Sequence, residues 1–142
     1  MSGVDVARKI LILIRESGYK MEIEDIQNNS FLPAECMETT NNDDFFKSLI
    51  ANAAHFEYLL AEAKAKDSRL KFVATFENGK AGVGLEFIPK DSPFYNLEGK
   101  DNIVQFYTDR YIDQPLLIKG AGAGAAVTAS GIFADVIRIG NI

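Results

Sequence analysis

The sequence predicts an α+β fold: a largely antiparallel or mixed sheet covered by helices. Three observations predict it. Strand-like segments follow one another after Leu70 with no helix between them. Asn78-Gly79 sits between two alternating apolar runs, where its positive φ angles suit a tight hairpin turn. Helical patterns occupy both ends of the chain and the stretch ahead of the hairpin.

The first element, in GVDVARKILILIRESGY, reads as a helix from about Asp5 to Ser17. Asp5 suits the positive end of a helix, and Gly18 suits its stop. Its middle, Ile10 to Ile14, is apolar on every side, so it expects burial on several sides or a neighbouring surface. The next stretch is mixed and turn-rich, with a helical turn near Glu22 to Ile26. DDFFKSLIANAAHFEYLLAEAKAKD then reads as one long helix, with Phe46, Leu49, Ile50, Ala53, Phe56 and Leu60 on its apolar stripe. The hairpin follows, with Leu70, Phe72, Ala74 and Phe76 alternating on one strand and Val83, Leu85 and Phe87 on the other. NIVQFYTD and PLLIK are two more short strands, and a last helix covers about residues 125–139.

Composition bounds the function. Hydrophobic residues at 47% and charged residues at 25% describe an ordinary globular chain, long enough for one domain with a core. A net charge of −5 argues against a nucleic-acid binder, which needs a basic face for phosphates. No apolar run approaches a membrane span, and no signal peptide is visible. The single cysteine, Cys36, cannot form an internal disulfide and fits a reducing cytoplasm. His55 has no metal-ligating companion nearby in sequence, so a structural role is expected. Asp135 and Arg138 are expected to pair locally.

Two features carry candidate chemistry. Gly120, Gly122 and Ala125 fit a G-x-G-x-x-[GA] pattern between a strand and a helix. A dinucleotide-binding domain needs a βαβ unit and an acidic residue further on, and neither follows, so a self-contained one is excluded. Two readings of the loop remain: a packing corner, or bare backbone that touches a cofactor held mostly by another domain. Asp5 and Lys9 lie four apart on one helix face, with the acid nearer the N-terminus. They form either an exposed ion pair worth about 0.3–0.5 kcal/mol or a functional pair. In the latter, the ammonium protonates a carbonyl oxygen and the carboxylate grips an ammonium or hydroxyl group.

SGVDVARKILILIRESG and PLLIKGAGAGAAVTASGIFADVIRI resemble the catalytic region of homoserine dehydrogenase, as do LPAE and SPFYNLEGKDNIVQFYT between them. The family carries G-x-D-V-A-R-K and a closing G-x-G-A-G-x-x-V-T-A-x-G-(V/I)-x-x-D. The resemblance implies an enzyme interconverting aspartate semialdehyde and homoserine with a nicotinamide cofactor, NADP in most members and NAD in others, in threonine and methionine biosynthesis. It implies that Lys9 transfers the proton to the aldehyde oxygen. It implies that Asp5 binds homoserine and that Gly122, with Gly120 and Gly124 beside it, contacts the cofactor. The family's Rossmann domain, a second catalytic lysine, a substrate-binding glutamate and a metal-ion site precede the matched region. The expectation is therefore that residues 1–142 are an excised substrate-binding and dimerisation portion, with Met1 as a new start. Its last helix would return to a Rossmann domain, and the fragment alone would be inactive.

No regulatory extension is expected after Ile142, an arrangement that resembles the bifunctional enzymes, in which an aspartate kinase precedes the dehydrogenase. A cytoplasmic homodimer without nucleic-acid or membrane partners is implied. The alternative is a non-catalytic oligomerisation or regulatory module, with Asp5 and Lys9 a surface ion pair. A free-standing small-ligand binder is disfavoured, because both end helices are too apolar to stand alone.

Overall fold

The structure is a computed structural model describing residues 3–141. Met1, the expected new start, Ser2 of the opening motif, and Ile142 lie outside the described residues. The chain forms two compact units, one running to Tyr95 and the other starting at Asn96.

In the first unit, α1 (Val4–Glu16) matches the predicted opening helix. Gly3 caps it in the left-handed region, at φ 76°. Asp5 sits in its first turn and Arg15 in its last, each at the end of the helix dipole that favours its charge. Gly18, also at positive φ, follows its end. Ala7, Leu11 and Ile14 face inward and are buried, whereas Ile12 is 61% exposed. The apolar run ILILI is thus covered on one face by this unit.

A 3-10 turn (Ile23–Asp25) occupies the predicted helical turn. Beyond it lie two short elements that the polar sequence did not announce, β1 (Gln27–Asn29) and α2 (Ala34–Met37). The predicted single long helix is two helices, α3 (Asn42–Ala51) and α4 (Ala53–Ala65). The break falls at Asn52, whose backbone leaves the helical region at φ −100° and ψ 21° while its N–H and its side-chain amide both donate to the Ser48 carbonyl at 3.0 Å. The predicted stripe is corrected with it. Phe46, Ile50 and Leu60 are exposed, Ile50 at 77%. The half-buried or buried positions are Phe45, Leu49, Phe56, Leu59 and Ala63.

The hairpin forms as expected. β2 (Ser68–Glu77) and β3 (Lys80–Pro89) pair antiparallel, with Phe72 opposite Leu85, Ala74 opposite Val83 and Phe76 opposite Ala81. Asn78 and Gly79 both take positive φ, 51° and 77°, the geometry of a type I′ turn. β1 joins the other edge of β3 in parallel, which gives the order β1-β3-β2. The main core lies between this sheet and α1: Ala7, Leu11, Ile14, Ile26, Ala81 and Val83, with Phe72, Ala74 and Phe76 packed around them.

The second unit is simpler. β4 (Asp101–Thr108) and β5 (Tyr111–Ala121) form an antiparallel ribbon with an irregularity between Phe106 and Thr108. α5 (Ala125–Gly140) follows a three-residue turn. Val127, Ile132, Phe133, Val136 and Ile137 of α5 are all exposed.

Candidate functional site

Asp5 and Lys9 are brought together. One helical turn apart on α1, the Lys9 ammonium lies 2.9 Å from the Asp5 carboxylate. Both side chains are open to solvent, Lys9 at 53% and Asp5 at 81%. The pair is held by backbone rather than by its own charge. The Ala7 N–H donates to the Gly3 carbonyl at 2.9 Å, and Ala7, between the pair in sequence, is anchored in the core. The buried face of α1 thereby turns Asp5 and Lys9 outward, where a substrate with both an ammonium and an oxygen can reach both charges.

Gly120, Gly122 and Gly124 lie in the second unit, where β5 leaves the ribbon and α5 begins. The base of this loop is tied to β4. Asp101 pairs with Ala121, Asn102 pairs with Gly120, and the Gly122 N–H donates to the Lys100 carbonyl at 3.2 Å. Lys119 and Asp101 form an ion pair at 3.7 Å across the same strands. Gly124 has φ 132°, and its carbonyl receives the Thr128 N–H at 3.0 Å, opening α5. A Cβ on Gly120 or Gly124 would meet nothing within 4 Å. Gly120 and Gly124 therefore present uncluttered backbone, which fits close approach by a flat ring.

The remaining predicted residues behave as structural elements. A ring nitrogen of His55 lies 2.9 Å from the Phe31 carbonyl, and the ring meets Phe56 edge-on. Cys36 is buried, and the Ser48 hydroxyl donates to its sulfur at 3.2 Å. Asp135 and Arg138 pair at 3.5 Å. Among the described residues no cluster of His, Cys, Asp or Glu has metal-binding geometry, and no helix is long and apolar enough to cross a membrane.

One residue at the loop was not read from sequence. Asn102 of β4 places its side-chain amide on Gly122, in the space that a Cβ would take. Nothing local marks it: only the pairing of β4 with β5 brings these residues together.

The chain is 38% identical to the chloroplastic bifunctional aspartokinase/homoserine dehydrogenase 2 of Zea mays, over 99% of its own length and 16% of the maize protein's. It is 39% identical to the bifunctional aspartokinase/homoserine dehydrogenase of Haemophilus influenzae, covering 97% of this chain and 17% of the relative. It is also 39% identical to the homoserine dehydrogenase of Paracoccidioides brasiliensis, covering 98% of this chain and 38% of the relative. The fold superimposes with a TM-score of 0.87 and 36% identity on a crystal structure of a Candida auris protein described as of unknown function. That match covers 99% of this chain and 40% of the other. The family model described as homoserine dehydrogenase matches residues 1–137, and with these relatives it shows that the chain belongs to the homoserine dehydrogenase family.

Proposed function

We propose that this chain supplies the substrate-handling part of an enzyme that reduces aspartate semialdehyde to homoserine. The observation that carries the reading is the Asp5–Lys9 pair at 2.9 Å, turned outward on a helix whose other face is core. Lys9 gives its proton to the aldehyde oxygen as negative charge develops there, a role worth about 10²–10⁴-fold in rate. Asp5 grips the substrate ammonium and orients the carbonyl toward the lysine. The nicotinamide, from NADPH or NADH, supplies the hydride. Gly122, flanked by Gly120 and Gly124, offers bare backbone against which that ring can lie. The dinucleotide would be held mainly by a nucleotide-binding domain, on which the exposed apolar residues of α5 would pack. An aspartate kinase domain in the same polypeptide, homodimerisation through this region and a cytoplasmic location belong to the same proposal.

The test is Lys9→Ala in an enzyme that joins this chain to its nucleotide-binding domain. Turnover falls by about a hundredfold or more while the fold is retained. Wild-type turnover in that variant removes Lys9 from the mechanism.

The rival reading is a non-catalytic oligomerisation or regulatory module. The solvent exposure of Asp5 and Lys9 is the observation in its favour, since surface pairs at this spacing commonly have no further role. Loss of turnover without loss of fold in the same variant rejects it.

A further inference from the structure

The geometry points to Asn102 as the positioning residue that holds the glycine loop in its path, an inference that rests, for its effect on the cofactor, on the reading given above. β4 and β5 pair in register up to Asp101 and Ala121, so Asn102 lies beside the last rungs of the ribbon before the loop departs. An ideal Cβ on Gly122 would collide with Nδ2 of Asn102 and would lie 2.6 Å from its Cγ and 3.3 Å from its Cβ. The carboxamide therefore rests against the Gly122 α-carbon and fills the volume of the missing side chain.

This contact differs from those at the neighbouring glycines. Gly120 and Gly124 have open space where a Cβ would point. Of these three loop glycines, only Gly122 has a side chain where its Cβ would stand. Its N–H is at the same time held by the Lys100 carbonyl at 3.2 Å. The middle of the loop is thus pinned twice, once by a backbone hydrogen bond and once by the amide of Asn102, while at Gly120 and Gly124 the space for a Cβ is open. Asn102 is half-buried and sits on a strand, an element rigid enough to act as a stop. Removing its side chain leaves Gly122 with the Lys100 hydrogen bond alone and nothing behind its α-carbon. A loop that lies against a nicotinamide ring must hold its backbone within a fraction of an ångström, because small displacements of positioning groups are costly.

The experiment uses the enzyme that carries this chain together with its nucleotide-binding domain, with Asn102→Ala, Asn102→Asp, Gly122→Ala and the double variant Asn102→Ala/Gly122→Ala. Two quantities are read: amide hydrogen exchange at Ala121 to Gly124 without cofactor, and the KM values for NADPH and for aspartate semialdehyde. In Asn102→Ala, exchange accelerates and the NADPH KM rises about tenfold, while the semialdehyde KM stays within about twofold. Asn102→Asp, which has the same shape, restores both. Gly122→Ala alone is impaired because its methyl group displaces the amide. The double variant lies within about twofold of Asn102→Ala, since the new methyl takes up the vacated space and the two changes do not add.

Unchanged exchange in Asn102→Ala overturns the assignment, and so does a double variant whose defect is the product of the two single defects. Faster exchange with an unchanged NADPH KM supports Asn102 as the stop behind Gly122 and overturns the loop's role at the nicotinamide instead. The two failures are therefore distinguishable.

Discussion

The ring of Phe72 lies where Gly3 has no side chain: a Cβ on Gly3 would stand 2.8 Å from Phe72 Cζ and 2.9 Å from Asn28 Oδ1. Gly3 is also the left-handed cap of α1, two residues before Asp5. One glycine therefore sets both how closely the helix approaches the sheet and how the Asp5–Lys9 pair is presented. Gly3→Ala combines a left-handed penalty with overpacking and lowers stability by about 2–4 kcal/mol. Urea denaturation of the chain measures it. A loss below roughly 0.5 kcal/mol, the level of a surface substitution, would show that Phe72 and Asn28 move aside freely.

Two isoleucines of one run should respond oppositely. Ile14 is 1% exposed in the core, and Ile12 points out of it. Ile14→Ala costs about 2–5 kcal/mol. Ile12→Ala in the isolated chain changes stability by no more than about 0.5 kcal/mol. Thermal melts of the two variants compare them directly, and equal losses would mean that α1 is buried on both sides in solution.

Lysine and arginine separate the two roles of position 9. Lys9→Arg keeps a cation four residues after Asp5, so the melting temperature stays near wild type. A guanidinium hardly releases its proton near neutral pH, so turnover falls by about a hundredfold or more. An active Lys9→Arg enzyme would leave only an electrostatic role for the cation.

The N-terminus of α3 predicts an acid-sensitive contribution. Asn41 caps the helix, accepting from the Asp44 N–H at 2.9 Å and donating to the Asp44 carboxylate at 2.7 Å. The second of these bonds, with the hydrogen bond from the Lys47 ammonium, holds the Asp44 pKa below its ordinary value. A carboxylate lowered on folding stabilises above its unfolded pKa, and that contribution disappears as pH falls through the folded value. Asp44→Asn therefore melts below wild type at neutral pH, and the two curves converge in strong acid. A gap that persists at the lowest pH at which the chain stays folded would assign the effect to helix capping alone.

The second unit offers a contrast between isolated and assembled protein. Phe133 is 66% exposed on α5. Phe133→Ser leaves the melting temperature of the isolated chain within about 2 °C of wild type, as for a surface substitution. In the enzyme with its nucleotide-binding domain the same change lowers activity or assembly, because a packed aromatic is then lost. Equal behaviour in both would remove α5 from that interface.

The local elements were legible in the sequence because their signals act over a few residues. Helix α1 follows from an apolar run with Asp5 at one end and Gly18 at the other, and the hairpin follows from Asn78-Gly79 between alternating runs. The end motifs singled out Asp5, Lys9 and the glycine loop by their short, defined spacings, and the resemblance to the family then marked Asp5, Lys9 and Gly122 as site residues. The break at Asn52 was hidden inside a continuous helical pattern, since one residue leaving the helical region, its amide folded onto the Ser48 carbonyl, leaves the apolar period almost intact.

What the residues determined by themselves is α1, the hairpin, β4, β5 and α5, which depend on hydrogen bonds and charges within about one turn of helix or one tight turn; Lys9 was marked as proton donor by the family resemblance. Tertiary structure alone decided that polar Gln27–Asn29 pairs in parallel with β3, that Ile14 rather than Ile12 is core, and that Asn102 stands behind Gly122. Each of these joins segments far apart in the chain, or chooses one face of a helix against another. Such choices are made by packing between elements, which no single stretch of sequence contains.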